Sequence, residues 1–183
     1  PAQIAADGKS VITQGVKMST NPFCDIALEE AIRCAEKNPD IQITALTIGD
    51  ESQTDTLKRA IAMGAHSATL IRSDMTEHET LDKAKLLHAF LQKEPHDLVI
   101  MGKQSIDGDH NHIPQMLGAL LEWNTGLFCS EIELDHSTVT VKREIDEGLV
   151  MNTLQIPCIL SCDLRLNEPR FIPLPKLLLA KNK

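Results

Sequence analysis

Asp97-Leu-Val-Ile-Met-Gly-Lys-Gln-Ser-Ile-Asp-Gly-Asp-His-Asn-His-Ile113 is the stretch on which the fold turns. Leu98 to Met101 is an unbroken apolar run of strand length, with no polar alternation. Such a run suits a strand buried on both faces, the habit of parallel sheets. Gly102 and Gly108 then supply turn positions, and residues 113–122 read as a helix. Strand, loop and helix in that order make half of a parallel α/β unit.

The same alternation extends upstream. Leu28, Ala31, Ile32 and Ala35 recur at helical spacing, so residues 25–37 form a helix, with Asn21 as cap and Pro22 in the first turn. Residues 42–48 are strand-like and end at Gly49-Asp50. Leu57, Ala60, Ile61 and Gly64 mark a second helix, and residues 67–71 a short strand. Leu81, Ala84, His88 and Leu91 mark a third helix, closing at Pro95. The fold class is therefore α/β: an open, mostly parallel sheet with helices on both faces, in one domain over residues 1–183. After Leu127 the pattern changes. Residues 131–134 and 138–143 alternate as an antiparallel hairpin, and residues 156–160 return to the core. The chain opens on a hairpin-like segment, residues 4–16, that turns at Asp7-Gly8. An open sheet of this kind usually begins with a core strand, so a first strand upstream of Pro1 is expected.

Composition narrows the function. The net charge of -8 and pI near 5.3 argue against a nucleic-acid partner, which needs a basic face. No apolar run approaches the ~20 residues that cross a bilayer, so membrane insertion is not expected. Four Phe, one Trp and no Tyr leave little for base stacking. The cysteines are Cys24, Cys34, Cys129, Cys158 and Cys162, an odd count with mostly apolar flanks. They read as free thiols in a reducing compartment. Cys158 and Cys162 share one face of a strand and read as core residues, with no metal role.

In an open α/β sheet, ligands bind beyond the carboxyl ends of the strands. Three loops fit that place: Asn21 to Cys24, Gly49-Asp50, and Gly102 to His112. The last is the strongest, with two glycines, a lysine and a following helix N-terminus whose N–H groups suit a phosphate. It is neither a Walker loop nor GxGxxG. Asp107, Asp109, His110 and His112 invite a metal reading. Helix-capping aspartates with surface histidines are the plainer one, since residues two apart on a helix diverge by about 200°. Ser105 has no base at a known spacing, so no catalytic residue is assigned. His88, on a helix stripe, reads as a packed core histidine. The charged run at 142–148 is a solvated turn or an inter-subunit contact.

The chain leaves its last core strand through Asp163-Leu-Arg-Leu-Asn-Glu-Pro-Arg170, then Phe171 to Pro175. Pro169, Pro173 and Pro175 oppose both helix and ladder, so a stiff extended loop is expected. It is either a surface linker or a contact loop.

Several blocks, in order, resemble the β subunit of electron-transfer flavoprotein. They are Asn21-Pro-Phe-Cys-Asp-Ile-Ala27 with Leu28-Glu-Glu-Ala31, Ala60-Ile-Ala-Met-Gly-Ala65, Met101 to Asp107, Arg143-Glu-Ile-Asp146, and the 163–170 motif. The resemblance implies a Rossmann-like fold of the adenine-nucleotide-binding type and an electron-carrier subunit, not an enzyme. It implies a heterodimer with an α subunit that holds most of the FAD, with Phe23 near the flavin. It implies structural AMP at Asn21, Pro22, Phe23, Cys24, Ile48 and Gly102, Lys103, Gln104, Ser105, Ile106, Asp107, Gly108, Asp109, His110, Asn111, His112 and Ile113. Electrons would come from acyl-CoA dehydrogenases and leave to a quinone oxidoreductase. Residues 163–183 would be the partner recognition loop, docking through Leu174 and Pro175. Arg143 and Glu144 would be subunit-interface charges. The compartment would be the mitochondrial matrix, or a bacterial cytoplasm.

This chain also departs from the family pattern. The family's first strand and C-terminal arm have no counterpart here. His110 and Ile113 stand where relatives carry hydroxyl residues, and Pro114 removes an N–H. Phosphate binding would then rest on backbone groups and Asn111. Leu179 and Asn182 replace lysines after the anchor. The alternative reading is an AMP- or ATP-binding sensing module without flavin. A metal-dependent hydrolase using Asp107 and Asp109 is a third.

Overall fold

The computed structural model describes residues 3–9, 11–12, 16, 19–73 and 80–180. β1 (Gln3–Ile4) and β2 (Val11–Ile12) pair antiparallel, Gln3 opposite Ile12. The expected turn is there: Gly8 adopts φ 68° and its N–H donates to the Ala5 carbonyl at 2.9 Å. Part of the 4–16 segment, Ser10 among it, lies outside the described residues.

From Asn21 the expected alternation follows. α1 (Pro22–Lys37) leads to β3 (Thr44–Gly49), α2 (Thr54–Met63) and β4 (Ser67–Arg72). Then come α3 (Thr80–Lys93), β5 (Leu98–Gly102) and α4 (Ile113–Leu121). β6 (Asn124–Cys129) precedes an antiparallel trio, β7 (Glu131–Leu134), β8 (Thr138–Ile145) and β9 (Gly148–Gln155). β10 (Cys158–Cys162) returns to the centre, and α5 (Leu174–Ala180) closes the described chain.

β10 lies between β5 and β6 and runs parallel to both, with Cys158 opposite Leu98 and Cys162 opposite Gly102. β3 and β4 form a second parallel ladder, and β7-β8-β9 a third, antiparallel sheet. The parallel strands are flanked by helices, as the apolar runs require.

β10 shows why its sequence lacks polar alternation: all five residues are buried. Cys158, Leu160 and Cys162 face Ile26 and Ala27 of α1 and Val139 and Val141 of β8. Ile159, pointing the other way, packs with Leu91 of α3 and Leu117 of α4. One strand thus joins two cores. A third core gathers Ile32, Ala60 and Met63 with Ile172 and Ala180 from the C-terminal segment.

Three elements were not legible in the sequence. β6, Asn-Thr-Gly-Leu-Phe-Cys, carries a glycine mid-strand. A Cβ on Gly126 would lie 2.8 Å from Leu160, 3.1 Å from Leu154 and 3.2 Å from Val141. The strand therefore gives up an apolar residue so that two sheets can meet. β9 is an edge strand with both faces largely open, so alternation is weak. The third is α5. Residues 171–173 are extended, but the chain becomes helical at Leu174, where an extended loop was expected. Pro175 sits in the first turn, where a helix tolerates it because that N–H has no partner anyway.

Candidate functional site

The start of α1 and the loop after β5 are locked together by Asn21. Its side-chain amide donates to the Gln104 carbonyl at 2.6 Å, while its Oδ1 accepts the Phe23 N–H at 3.4 Å. Asn21 is thus both the expected cap and a strut across 83 residues of sequence. Gly102 permits the approach. A Cβ there would sit 2.7 Å from Phe23 Cβ, 2.8 Å from the Phe23 carbonyl carbon and 2.9 Å from the Cys24 nitrogen. Two of those three atoms are backbone and cannot rotate away.

Lys103 follows, but it does not point free into the loop. Its Nζ donates to Asp163 Oδ2 at 2.8 Å and lies 5.3 Å from the centre of the Phe23 ring. Asp163 is buried at 5% exposure, and its other oxygen accepts the Arg165 N–H and Nε, each at 3.1 Å. Arg165 also pairs with Glu144. A chain of charges therefore runs from the β5 loop across the end of β10 to the tip of β8.

The rest of the loop is braced internally. Ser105 N–H donates to the His110 carbonyl at 2.9 Å, and Ser105 Oγ accepts the His110 N–H at 3.3 Å. Gln104 Nε2 donates to Asp109 at 2.7 Å. Asp109 adopts φ 54°, a left-handed turn that aspartate tolerates. His110 and His112 both precede α4, so the helical argument that separates them does not apply. Their rings lie 5.9 Å apart, tilted 31°. Among the described residues, no three His, Cys, Asp or Glu side chains converge as a metal set. The Ser105 hydroxyl is occupied by backbone.

Asn21 to Cys24 and Gly102 to Gln104 thus form one site. Ile48 lies one residue before the end of β3 in the other parallel ladder, opposite Ile71. Phe23 is 7% exposed, with Lys103 over its ring. Arg143 and Glu144 part company. Arg143 continues the inward row of Val139 and Val141, and its Nε is shielded from solvent with no hydrogen-bond partner among the described residues. Glu144 faces outward and is taken by Arg165.

The 163–170 motif lies along α1. Asn167 Nδ2 donates to Glu30 at 2.9 Å and to the Ile26 carbonyl at 3.1 Å. Arg170 grips Glu29 through Nε at 2.8 Å and Nη2 at 3.1 Å, and Glu36 through Nη1 at 2.6 Å. Burial alone would raise the Glu29 carboxyl, but hydrogen bonds from Arg170 and Arg33 outweigh it and hold it below the usual carboxylate range. These acids were missed in the sequence. The available signal was Glu29-Glu30, two charges beside the apolar stripe of a helix that buries both. Leu174 is 66% exposed.

The cysteines are all free. Cys158 and Cys162 share the predicted face and are fully buried. Burial pushes the thiols of Cys34 and Cys158 up to about 11 and that of Cys129 to about 12. They are inert packing residues. His88 is half-buried and not a core residue. No helix among the described residues is long and apolar enough to cross a membrane.

The model of the electron transfer flavoprotein domain matches residues 9–183. The chain is 42% identical over 184 aligned positions to the mitochondrial electron transfer flavoprotein subunit beta of Oryza sativa subsp. japonica, covering 99% of this chain and 73% of that one. It is 43% identical to the subunit beta of Dictyostelium discoideum, covering 98% and 71%. It is 41% identical to that of Bradyrhizobium diazoefficiens, covering 99% and 72%. The chain therefore belongs to the electron transfer flavoprotein family as a beta subunit, an electron carrier rather than an enzyme.

Proposed function

We propose that this chain, with an α subunit, holds FAD and carries electrons from acyl-CoA and related dehydrogenases to a quinone oxidoreductase. The observation that carries this reading is the family match across nearly the whole chain. FAD supplies the electron-accepting centre, held mainly by the α subunit. This chain's part is to bind and orient. Arg143 and Glu144, near the end of β8, are charges at the interface with the α subunit in this reading. Phe23 is 7% exposed with Lys103 over its ring, so it offers a flavin little surface.

The chain also binds AMP as a structural ligand in this reading, at Asn21, Pro22, Phe23 and Cys24, Ile48, and 102–113. The donor chemistry there fits a phosphate. Asn111, His110 and His112 gather at the start of α4, and the facing start of α1 is tied in by Asn21. Lys103 is committed to Asp163, so phosphate contact falls to loop amides and Asn111. Leu174 and Pro175 on α5 are the docking tip for the dehydrogenase. The working compartment is the mitochondrial matrix in a eukaryote or the cytoplasm in a bacterium. One relative named above is a mitochondrial rice protein and another comes from a bacterium.

Copurification tests the whole reading. A yellow heterodimer carrying FAD and AMP is expected by mass spectrometry. A colourless homodimer loaded with ATP would replace it with a nucleotide-sensing module. For docking, Leu174→Ala is expected to slow reduction by acyl-CoA dehydrogenase about tenfold, the scale of a lost anchor, while FAD content holds. Unchanged electron-transfer kinetics would remove Leu174 from the docking site.

A further inference from the structure

α1 carries a row of carboxylates that electron transfer does not itself require. Glu29 is 2% exposed and Glu30 is 6% exposed, burial that a charge tolerates only when paired. Both find partners in the C-terminal segment. Arg170 holds Glu29 with its backbone N–H at 3.1 Å and its guanidinium at 2.8 Å, and spans to Glu36 at 2.6 Å. Asn167 holds Glu30 at 2.9 Å, and Arg33 donates to the Glu168 carbonyl at 3.3 Å.

Beyond this clamp the chain is seated a second time. Ile172, Leu177 and Ala180 enter the core of Ile32, Ala60 and Met63. Between and around the two seats, Phe171 is 88% exposed, Leu174 66%, Leu178 53% and Leu179 69%. Leu174 and Leu178 are four apart and share a face of α5. A helix of seven residues cannot hold its own shape in water. Its form and direction are imposed by the seats.

We propose that Glu29, Glu30 and Glu36 are positioning residues for dehydrogenase docking. They fix Asn167 and Arg170, and so present Phe171, Leu174 and Leu178 as one preformed surface. The proposal rests on the docking reading above. None of the three acids needs to touch the partner. They act by removing the entropy that a loose segment would lose on binding.

The test uses the complete heterodimer with its FAD. Glu29→Gln, Arg170→Lys, Leu174→Ala and the Glu29→Gln/Leu174→Ala pair are compared. Reduction rate is followed against acyl-CoA dehydrogenase concentration, and amide hydrogen exchange over residues 174–180. Glu29→Gln is expected to raise KM about tenfold, with the saturating rate and flavin spectrum held and with faster exchange in α5. Arg170→Lys, which keeps the charge but loses the fork, moves both readouts the same way. The double variant is less impaired than the product of the singles. A normal KM in Glu29→Gln beside an impaired Leu174→Ala overturns the clamp. So does a raised KM with unchanged α5 exchange. A normal Leu174→Ala overturns the docking reading and this proposal with it, and the unimpaired anchor variant marks that failure as the docking reading's. If Glu29→Gln does not fold, Glu36→Gln, at an exposed carboxylate, takes its place under the same criteria.

Discussion

Gly102 is where a single hydrogen atom in place of a methyl decides the local structure. The approach of the β5 loop to the start of α1 leaves under 3 Å for any Cβ. Gly102→Ala must push Phe23 and Cys24 away and slacken the Asn21 strut to Gln104. It is expected to cost about 1–3 kcal/mol, the range of overpacking, read as a lower urea midpoint. An unchanged midpoint would mean the contact is looser than described. Residue-scale legibility was uneven. Alternation alone placed Cys158 and Cys162 on one buried face, because period two is a geometric property of strands. It could not tell that Lys103 is bound to Asp163, 60 residues away, because spacing along the chain says nothing of what folds back beside it. The histidine pair fails for a related reason. As helical neighbours His110 and His112 would diverge, but the loop holds them before α4 begins.

At the scale of elements, the strongly periodic pieces were readable and the compensated ones were not. β5 is a continuous apolar run and β10 is interrupted only by Ser161, and both are of strand length. β6 hides behind Gly126, which yields its side chain to the sheet opposite. β9 hides because an edge strand has no face that must be apolar throughout. α5 hides because three prolines read as breakers, whereas a proline in the first turn helps a helix begin. The segment before α5 also carries a pH signature. Glu29 is held below the ordinary carboxylate value by Arg170 and Arg33, against the raising effect of burial. With the folded value depressed, the unfolded chain takes up this proton first as pH falls. The clamp's contribution is thus complete above about pH 4.3, the free glutamate value, and is lost as pH drops below it. Urea midpoints measured from pH 6 to 3 should fall at the acid end, and less steeply in Glu29→Gln. Equal slopes would show that the pair contributes nothing to folding.

The whole molecule divides its apolar residues into two sets. One is interior: Ile159, Leu160, Leu117, Val139 and Met63 are almost fully buried and hold the parallel strands to their helices. The other is held outward: Leu149 and Met151 on β9, each 64% exposed, and Phe171 and Leu174 near the C-terminus. The order of apolar runs along the chain could reveal the fold class, and a net charge of -8 could argue against a nucleic-acid partner. Neither could divide these sets, since a leucine reads the same in either. A beta subunit has reason to keep the second set. Leu149→Ser is expected to leave the unfolding free energy of the chain, read by urea titration, within about 0.5 kcal/mol, as a surface change does. A clear loss of stability would place Leu149 in the core after all.

The open edge of β9 bears on how inherited variation in such a subunit is to be interpreted. A substitution at Met151 or Leu149 removes little that the chain buries for itself. Screens that score variants by expression or melting of this polypeptide alone will pass it as harmless. Its penalty would be felt only where the polypeptide meets others, so harmlessness there has to be measured on the assembled carrier at work.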